Sequence, residues 1–345
     1  MSLRRSSLVT SRASVSALLG LSLALVACGG GDDTAGTSID AGPDAVQGEV
    51  GTFTVHWGPK VIPAGREDTE CVQVRLGNAG AIKVHEIHNT LGSSSHHFIL
   101  YRTAATDEYT TPTPCQPFTD TLDPTKGAPL MITQRAEETL TLPDDVAFTL
   151  QPDQMLRLEL HYINTGETDQ EVTVTSELRT LATATQEADF LFIGTPDIDL
   201  APHATATVGP TYIGMPAELQ GVNVFALTGH THQYGTDVDV ATAHDRTDLG
   251  TVVYNPAPFS WSEPETVYHR PPFQIPEGFR FTCKYNNTSG DRIQFGESAN
   301  DEMCFFWAYY YPSQGAKVCA HTNQAGGANG IDLCCPGNPL CSLLQ

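Results

Sequence analysis

Basic residues are scarce in this sequence: 18 Lys and Arg stand against 40 Asp and Glu over 345 residues, a formal charge of −22. Arg4, Arg5 and Arg12 all lie in the first 28 residues, where no acidic residue occurs, so removal of that leader leaves a net charge of −25. A surface this acidic repels phosphate backbones, which excludes nucleic-acid binding. Long apolar runs are missing beyond the N-terminal leader, so no permanent membrane-spanning helix is expected. After the leader no stretch repeats its apolar residues at helical spacing. Charged residues make up only 17% of the chain, against 30 Gly and 23 Pro, a balance that suits many short strands and turns.

The length is about twice that of one usual domain, so two domains are expected. Nine Cys are too many for a routine cytosolic enzyme and point to disulfides in an oxidising compartment. Residues 1–28 read as an export signal: a basic region, then the apolar run Val15 to Ala27, which is too short to span a bilayer. The run ends Leu25-Val26-Ala27-Cys28 before three glycines and resembles a bacterial lipoprotein signal in which Cys28 is acylated. The plainer alternative is a cleaved secretory peptide. Residues 29–49 have almost nothing to bury and read as a flexible acidic stalk. The expectation is an exported bacterial lipoprotein of the cell envelope, monomeric and held to the membrane by lipid alone. Without Cys28, eight Cys remain, an even number that favours four disulfides.

From residue 51 the apolar period is two. Thr52-Phe53-Thr54-Val55-His56-Trp57, Val72 to Leu76, Leu156 to Tyr162, Glu171 to Leu178, Val222 to Leu227 and Arg280 to Tyr285 alternate, separated by turn signals such as Asn164-Thr165-Gly166. The fold class is therefore all-β. Two tandem antiparallel β-sandwiches of jelly-roll type are expected at residues 50–185 and 186–320. A Cys-rich tail, 321–345, reads as a disulfide-stapled loop.

Four local features could carry chemistry. His230-Thr231-His232 follows a strand, where residues two apart share a face and can reach one ion. His96-His97 follows Gly92-Ser93-Ser94-Ser95; neighbours in a regular strand face opposite ways, so both can serve one ion only if the backbone is irregular there. His161 closes the strand Leu156 to Tyr162, with Leu156, Leu158 and Leu160 on the opposite face. Finally, Asp301-Glu302-Met303-Cys304 leads a strand that sets Met303, Phe305 and Trp307 on one face. Taken singly, each is more often a surface pair, a polar-face histidine or a core filler. Together, two imidazoles and a thioether form a soft set suited to Cu(I) rather than zinc or calcium.

The order His-His, His-Tyr, His-Thr-His, Asp-Glu-Met-Cys resembles the copper type II, ascorbate-dependent monooxygenases over roughly residues 50–321. The resemblance implies two copper ions per chain. His96, His97 and His161 would hold the first, which relays an electron. His230, His232 and Met303 would hold the second and be catalytic, activating O₂ and abstracting a substrate hydrogen. Ascorbate or another one-electron donor would restore both ions to Cu(I). It also implies the bridges Cys71–Cys115 and Cys283–Cys304. The family partner of Cys319 has no counterpart near Gly209 or Pro210, so Cys319 is expected to pair with Cys334, Cys335 or Cys341.

The peptide-amidating branch of that family has an arginine where this chain has Thr228, and an Asn and a Tyr where it has Phe305 and Trp307. A substrate pocket formed by Thr228, Phe305 and Trp307 would be apolar and aromatic, without an anion clamp; ordinary core packing is the competing role of Phe305 and Trp307. The expected activity is hydroxylation of a C–H bond in a small organic substrate by O₂. Its rivals are a non-catalytic copper-binding or copper-storage lipoprotein and a structural surface sandwich whose histidines bind nothing.

Overall fold

The computed structural model describes residues 50–345 except 119–125, 297, 339–340 and 342–345. The export signal, the Cys28 anchor and the acidic stalk lie outside the described residues. The described chain is all-β, with two short 3₁₀ turns at Ala217–Leu219 and Gly327–Asn329. No helix among the described residues is long and apolar enough to cross a membrane.

Two sheets form the N-terminal half. One runs, in spatial order, Thr52–Ile62, Gln170–Leu181, Ile82–Thr90, Val146–Leu150 and Gln186–Glu187, with Glu137–Thr141 also on Ile82–Thr90. The other runs Tyr109–Pro114, Glu67–Arg75, Met155–Ile163, Ser95–Thr103 and Gly127–Thr133. Trp57, Val84, Phe98, Leu100, Leu158 and Val174 fill the space between them. Met155–Ile163 is central and buried on both faces nearly throughout, which takes even Arg157 and Glu159 out of water. Those two ion-pair at 3.1 Å, and Glu159 Oε1 also accepts from the Phe118 amide, as buried charges require.

The C-terminal half has a six-stranded sheet, Val267–Gln274, Asn223–His230, Cys304–Tyr311, Asp189–Thr195, Lys317–Thr322 and Ile331–Cys335. A four-stranded sheet, Thr205–Gly214, Gly278–Asn286, Gly235–Ala243 and Thr251–Tyr254, packs against one face of it. Alternation along Cys304–Tyr311 divides its side chains between two cores. Cys304, Phe306, Ala308 and Tyr310 turn inward among Leu227, Val240 and Phe281. Met303, Phe305, Trp307 and Tyr309 turn the other way and join the core of the N-terminal sheets. The two sandwiches are thus packed face to face along this strand. Tyr309 Oη receives the Ile132 amide at 3.2 Å, and Tyr268 Oη donates to the Thr139 carbonyl at 2.7 Å. Burying aromatic faces of this kind contributes about 1.5–3 kcal/mol per side chain.

Cys71–Cys115 and Cys283–Cys304 are bridged, and the tail closes as Cys319–Cys334 and Cys335–Cys341. One expectation is corrected here: part of the tail is strand, not loop. Ile331–Cys335 pairs antiparallel with Lys317–Thr322 as the sheet edge. With few apolar side chains of its own, the segment is held by that ladder, by its disulfides and by buried His321, whose Nδ1 meets Asp332 at 2.6 Å.

Candidate metal centre

His96, His97 and His161 converge. Each offers a ring nitrogen, and the three lie within 4.8 Å of one another. His97 stands directly across from His161 in the strand register, and the register slips by one residue between Ser95 and His97. That bulge makes His96 the extra residue, which is how two adjacent imidazoles come to one side. Ser94, at φ 68°, supplies the left-handed turn just before it. His161 is positioned from outside by Glu67 on the neighbouring strand, whose Oε1 lies 3.0 Å from Nε2. Its neighbour Tyr162 donates to Glu70 at 3.2 Å, anchoring the strand end.

His230 ends its strand opposite Phe305, and His232 follows past the strand end, with ring centroids 5.1 Å apart. Glu302, fully buried, clamps the His232 and Met303 segments together. Its carboxylate accepts from the amides of His232 at 2.8 Å, Tyr234 at 2.7 Å and Met303 at 3.2 Å. Met303 is itself buried, and its carbonyl accepts from Tyr285 Oη at 2.7 Å. The bridge Cys283–Cys304 fixes the next residue.

Burial dominates the electrostatics. It pushes His96 down to about 3 and His232 to about 4, and holds His97 and His230 well below the ordinary histidine range, with neighbouring imidazoles adding to the effect. Burial lowers His161 as well, against an opposing pull from Glu67. All five rings are therefore neutral at physiological pH, the form that ligates. Burial also raises Glu302 to about 7, opposed by its amide donors.

The donor set fits a soft cation. The Nδ1 atoms of His96 and His97 are 3.3 Å apart, where two lone pairs repel unless a proton or an ion lies between them. The buried Nε2 atoms of His96, His97 and His230 have no hydrogen-bond partner among the described residues, a state costing about 1–3 kcal/mol each unless something else satisfies them. His232 directs Nδ1 at the Asp301 carbonyl, 3.1 Å away. Copper suits imidazole and thioether donors.

Residues 188–328 match the family described as copper type II ascorbate-dependent monooxygenase, C-terminal domain. The match spans His230, His232, Met303 and the Cys283–Cys304 bridge. Over that stretch, about two-fifths of its length, the chain is similar to the copper type II, ascorbate-dependent monooxygenases. A curated relative, tyramine beta-hydroxylase of Caenorhabditis briggsae, is 29% identical over 107 residues, which are 29% of this chain and 17% of that protein. The chain thus matches well under half of that relative's length. Among solved structures, the STIV MCP is similar at 9% identity over 76% of this chain and 96% of that chain, with a TM-score of 0.35. A fucolectin from striped bass, Morone saxatilis, covers 77% of this chain and 96% of its own at 9% identity and a TM-score of 0.18. Neither TM-score carries an argument.

Thr228, Phe305 and Trp307 lie on the face turned to the N-terminal sandwich, and all are buried. Phe305 stacks on Phe192 at 4.9 Å over Gly194, where an added Cβ would come within 2.3 Å of the Phe305 ring. Trp307 lies 5.8 Å from His230. Sequence reading missed the outer partners Glu67 and Gln134, the clamp role of Glu302, and Trp261, whose ring lies 5.9 Å from His96. Glu302 alone carried a local signal, its place beside Met303. The other three reach their histidines from distant segments.

Proposed function

We propose that this protein is a copper- and ascorbate-dependent monooxygenase that inserts one oxygen atom of O₂ into a C–H bond of a small apolar or aromatic substrate. The overall change is R–H + O₂ + 2 e⁻ + 2 H⁺ → R–OH + H₂O, with ascorbate or another one-electron donor as reductant. The observation that carries this reading is the presence of two neutral imidazole sets with different surroundings on facing sandwiches. His96, His97 and His161 would hold one copper ion, and His230, His232 and Met303 a second. Bound there, copper supplies the one-electron chemistry of O₂ that side chains lack. The chain's own part is to keep the rings neutral, aim them, and exclude water. Glu67 polarises His161 with a full carboxylate, whereas His230 and His232 face uncharged oxygens of Gln134 and Asp301. A thioether with neutral outer partners favours Cu(I), while a carboxylate-backed all-His set tolerates Cu(II) better.

The substrate would carry no anionic group at Thr228. Its hydroxyl lies 2.8 Å from Thr266 Oγ1, which donates to Glu138 at 2.6 Å, so an approaching carboxylate would meet a half-buried carboxyl behind one hydroxyl. A neutral or amine-bearing aromatic compound fits better, and the nematode relative is named for tyramine. Trp307, beside His230, would form part of the substrate wall. Copper-loaded protein should consume O₂ with ascorbate only when a hydroxylatable substrate is added, and His161→Ala should abolish the coupled uptake. Two copper ions bound with no substrate-dependent uptake across an aromatic-amine and aromatic-alkane panel would favour a storage role.

A further inference from the structure

Among the three rings whose outer hydrogen bonds are defined, one partner comes from the other sandwich. His161 is held by Glu67 on the adjacent strand, and His232 by the carbonyl of Asp301 in its own half. His230 instead directs Nδ1 at Gln134 Oε1, 3.0 Å away and 96 residues distant in sequence. Gln134 and His230 are 6% and 3% exposed, so water does not substitute for either partner.

Gln134 stands on firm backbone. It follows the strand Gly127–Thr133 directly. Two residues earlier the Ile132 amide is fixed to Tyr309 Oη at 3.2 Å, and Thr133 Oγ1 accepts from fully buried Asn89 at 2.8 Å. Tyr309 belongs to the strand that follows Met303, so the contact that seats Gln134 also joins the two halves.

We propose that Gln134 is a positioning residue for the His/His/Met set, fixing the tautomer of His230 from the opposite sandwich. The inference rests on the reading that an ion binds there. A neutral imidazole carries one N–H. With Nδ1–H donated to Gln134 Oε1, the buried Nε2 is bare and oriented, and it has no protein partner among the described residues. Ring orientation and ligand basicity then depend on the sandwiches being docked, because Gln134 leaves with the N-terminal half if they part. Without that acceptor, no described residue on the C-terminal side holds the proton on Nδ1, and an Nε2–H ring cannot ligate through Nε2.

The test compares Gln134→Leu, which removes the acceptor, with Gln134→Glu, which can only accept. Ring ¹⁵N shifts of His230 in metal-free protein report the tautomer, and Cu(I) titration against a competing chelator reports the two affinities. Gln134→Leu should shift His230 toward the Nε2–H tautomer and weaken one Cu(I) site by roughly 10–100-fold, leaving the other unchanged. Gln134→Glu should keep the parent tautomer and hold Cu(I) within a few-fold of the parent. A folded Gln134→Leu protein with the parent tautomer and both parent affinities would overturn the proposal. So would a Gln134→Glu protein behaving like the Leu variant, since an amide N–H rather than the oxygen would then be the working group. Should the parent bind no copper, the monooxygenase reading fails, while the ¹⁵N shifts still decide what Gln134 does.

Discussion

Met303 is held by its backbone more than by its side chain: its amide bonds to Glu302, its carbonyl to Tyr285, and a disulfide locks its neighbour. Exchanging the side chain for a similar volume should therefore leave the fold alone. Met303→Leu should cost under about 1.5 kcal/mol in denaturant unfolding. It should retain copper at the all-His set and lose coupled O₂ uptake. Parent turnover in that variant would make Met303 core filler and sink the assignment of the second set. Glu67 answers a different question at the same scale. Glu67→Gln keeps a hydrogen-bond partner for His161 but removes its charge. The all-His copper should then bind Cu(II) less tightly, by about tenfold or more, and titrate at a higher reduction potential. An unmoved potential would show that the carboxylate, at 3.0 Å from Nε2, does not tune the ion.

Among the elements, the ligand strands were legible and their supports were not. Alternation marked Leu156 to Tyr162, and the unbroken apolar and aromatic run from Met303 to Tyr311 reads as a strand buried on both faces. The need for irregular backbone at His96-His97 could be stated from the period of two, and the slip between Ser95 and His97 meets it. Gln134 could not be found in that way: it is an ordinary polar residue until folding brings it to a histidine 96 residues away. The edge strand Ile331–Cys335 was hidden for another reason. Its pairing is maintained by Cys319–Cys334 and a parallel-sided neighbour rather than by its own apolar period. The Met303 segment is tied across the C-terminal sandwich by the Cys283–Cys304 bridge, 21 residues apart in sequence, which links the four-stranded sheet to the six-stranded one. Replacing both with Ser should cost about 3 kcal/mol by the loop-closure argument. Cu(I) affinity should fall at one site only, the one next to Cys304. Equal loss at both sites would mean that the bridge supports the whole molecule rather than the Met303 segment.

For the whole molecule, two cores joined along one strand should hold the fold without metal. Chelation should lower the melting temperature only by the mass-action share of the lost ions, with strand content unchanged by circular dichroism. Anchoring belongs to this scale as well. If Cys28 carries lipid, Cys28→Ala should move the protein from the detergent phase to the aqueous phase or leave it unprocessed; unchanged partitioning would mean that the leader is an ordinary cleaved signal.

The largest whole-molecule quantity is charge, and it bears on how electrons arrive. At −22 the protein repels an anionic reductant such as ascorbate at long range. The cleft of about 350 Å³ over the all-His set adds Glu67 and Asp68 to its lining. Raising ionic strength from about 0.01 M to 0.15 M shortens the screening length from about 30 Å to about 8 Å. Reduction of the copper-loaded protein by ascorbate should therefore accelerate several-fold over that range, while reduction by an uncharged hydroquinone stays flat. The hydroquinone control removes changes in the ions themselves, since both donors deliver electrons to the same sites. An ascorbate rate that falls with salt would place a locally positive surface at the point of electron entry and show that the net charge does not govern encounter.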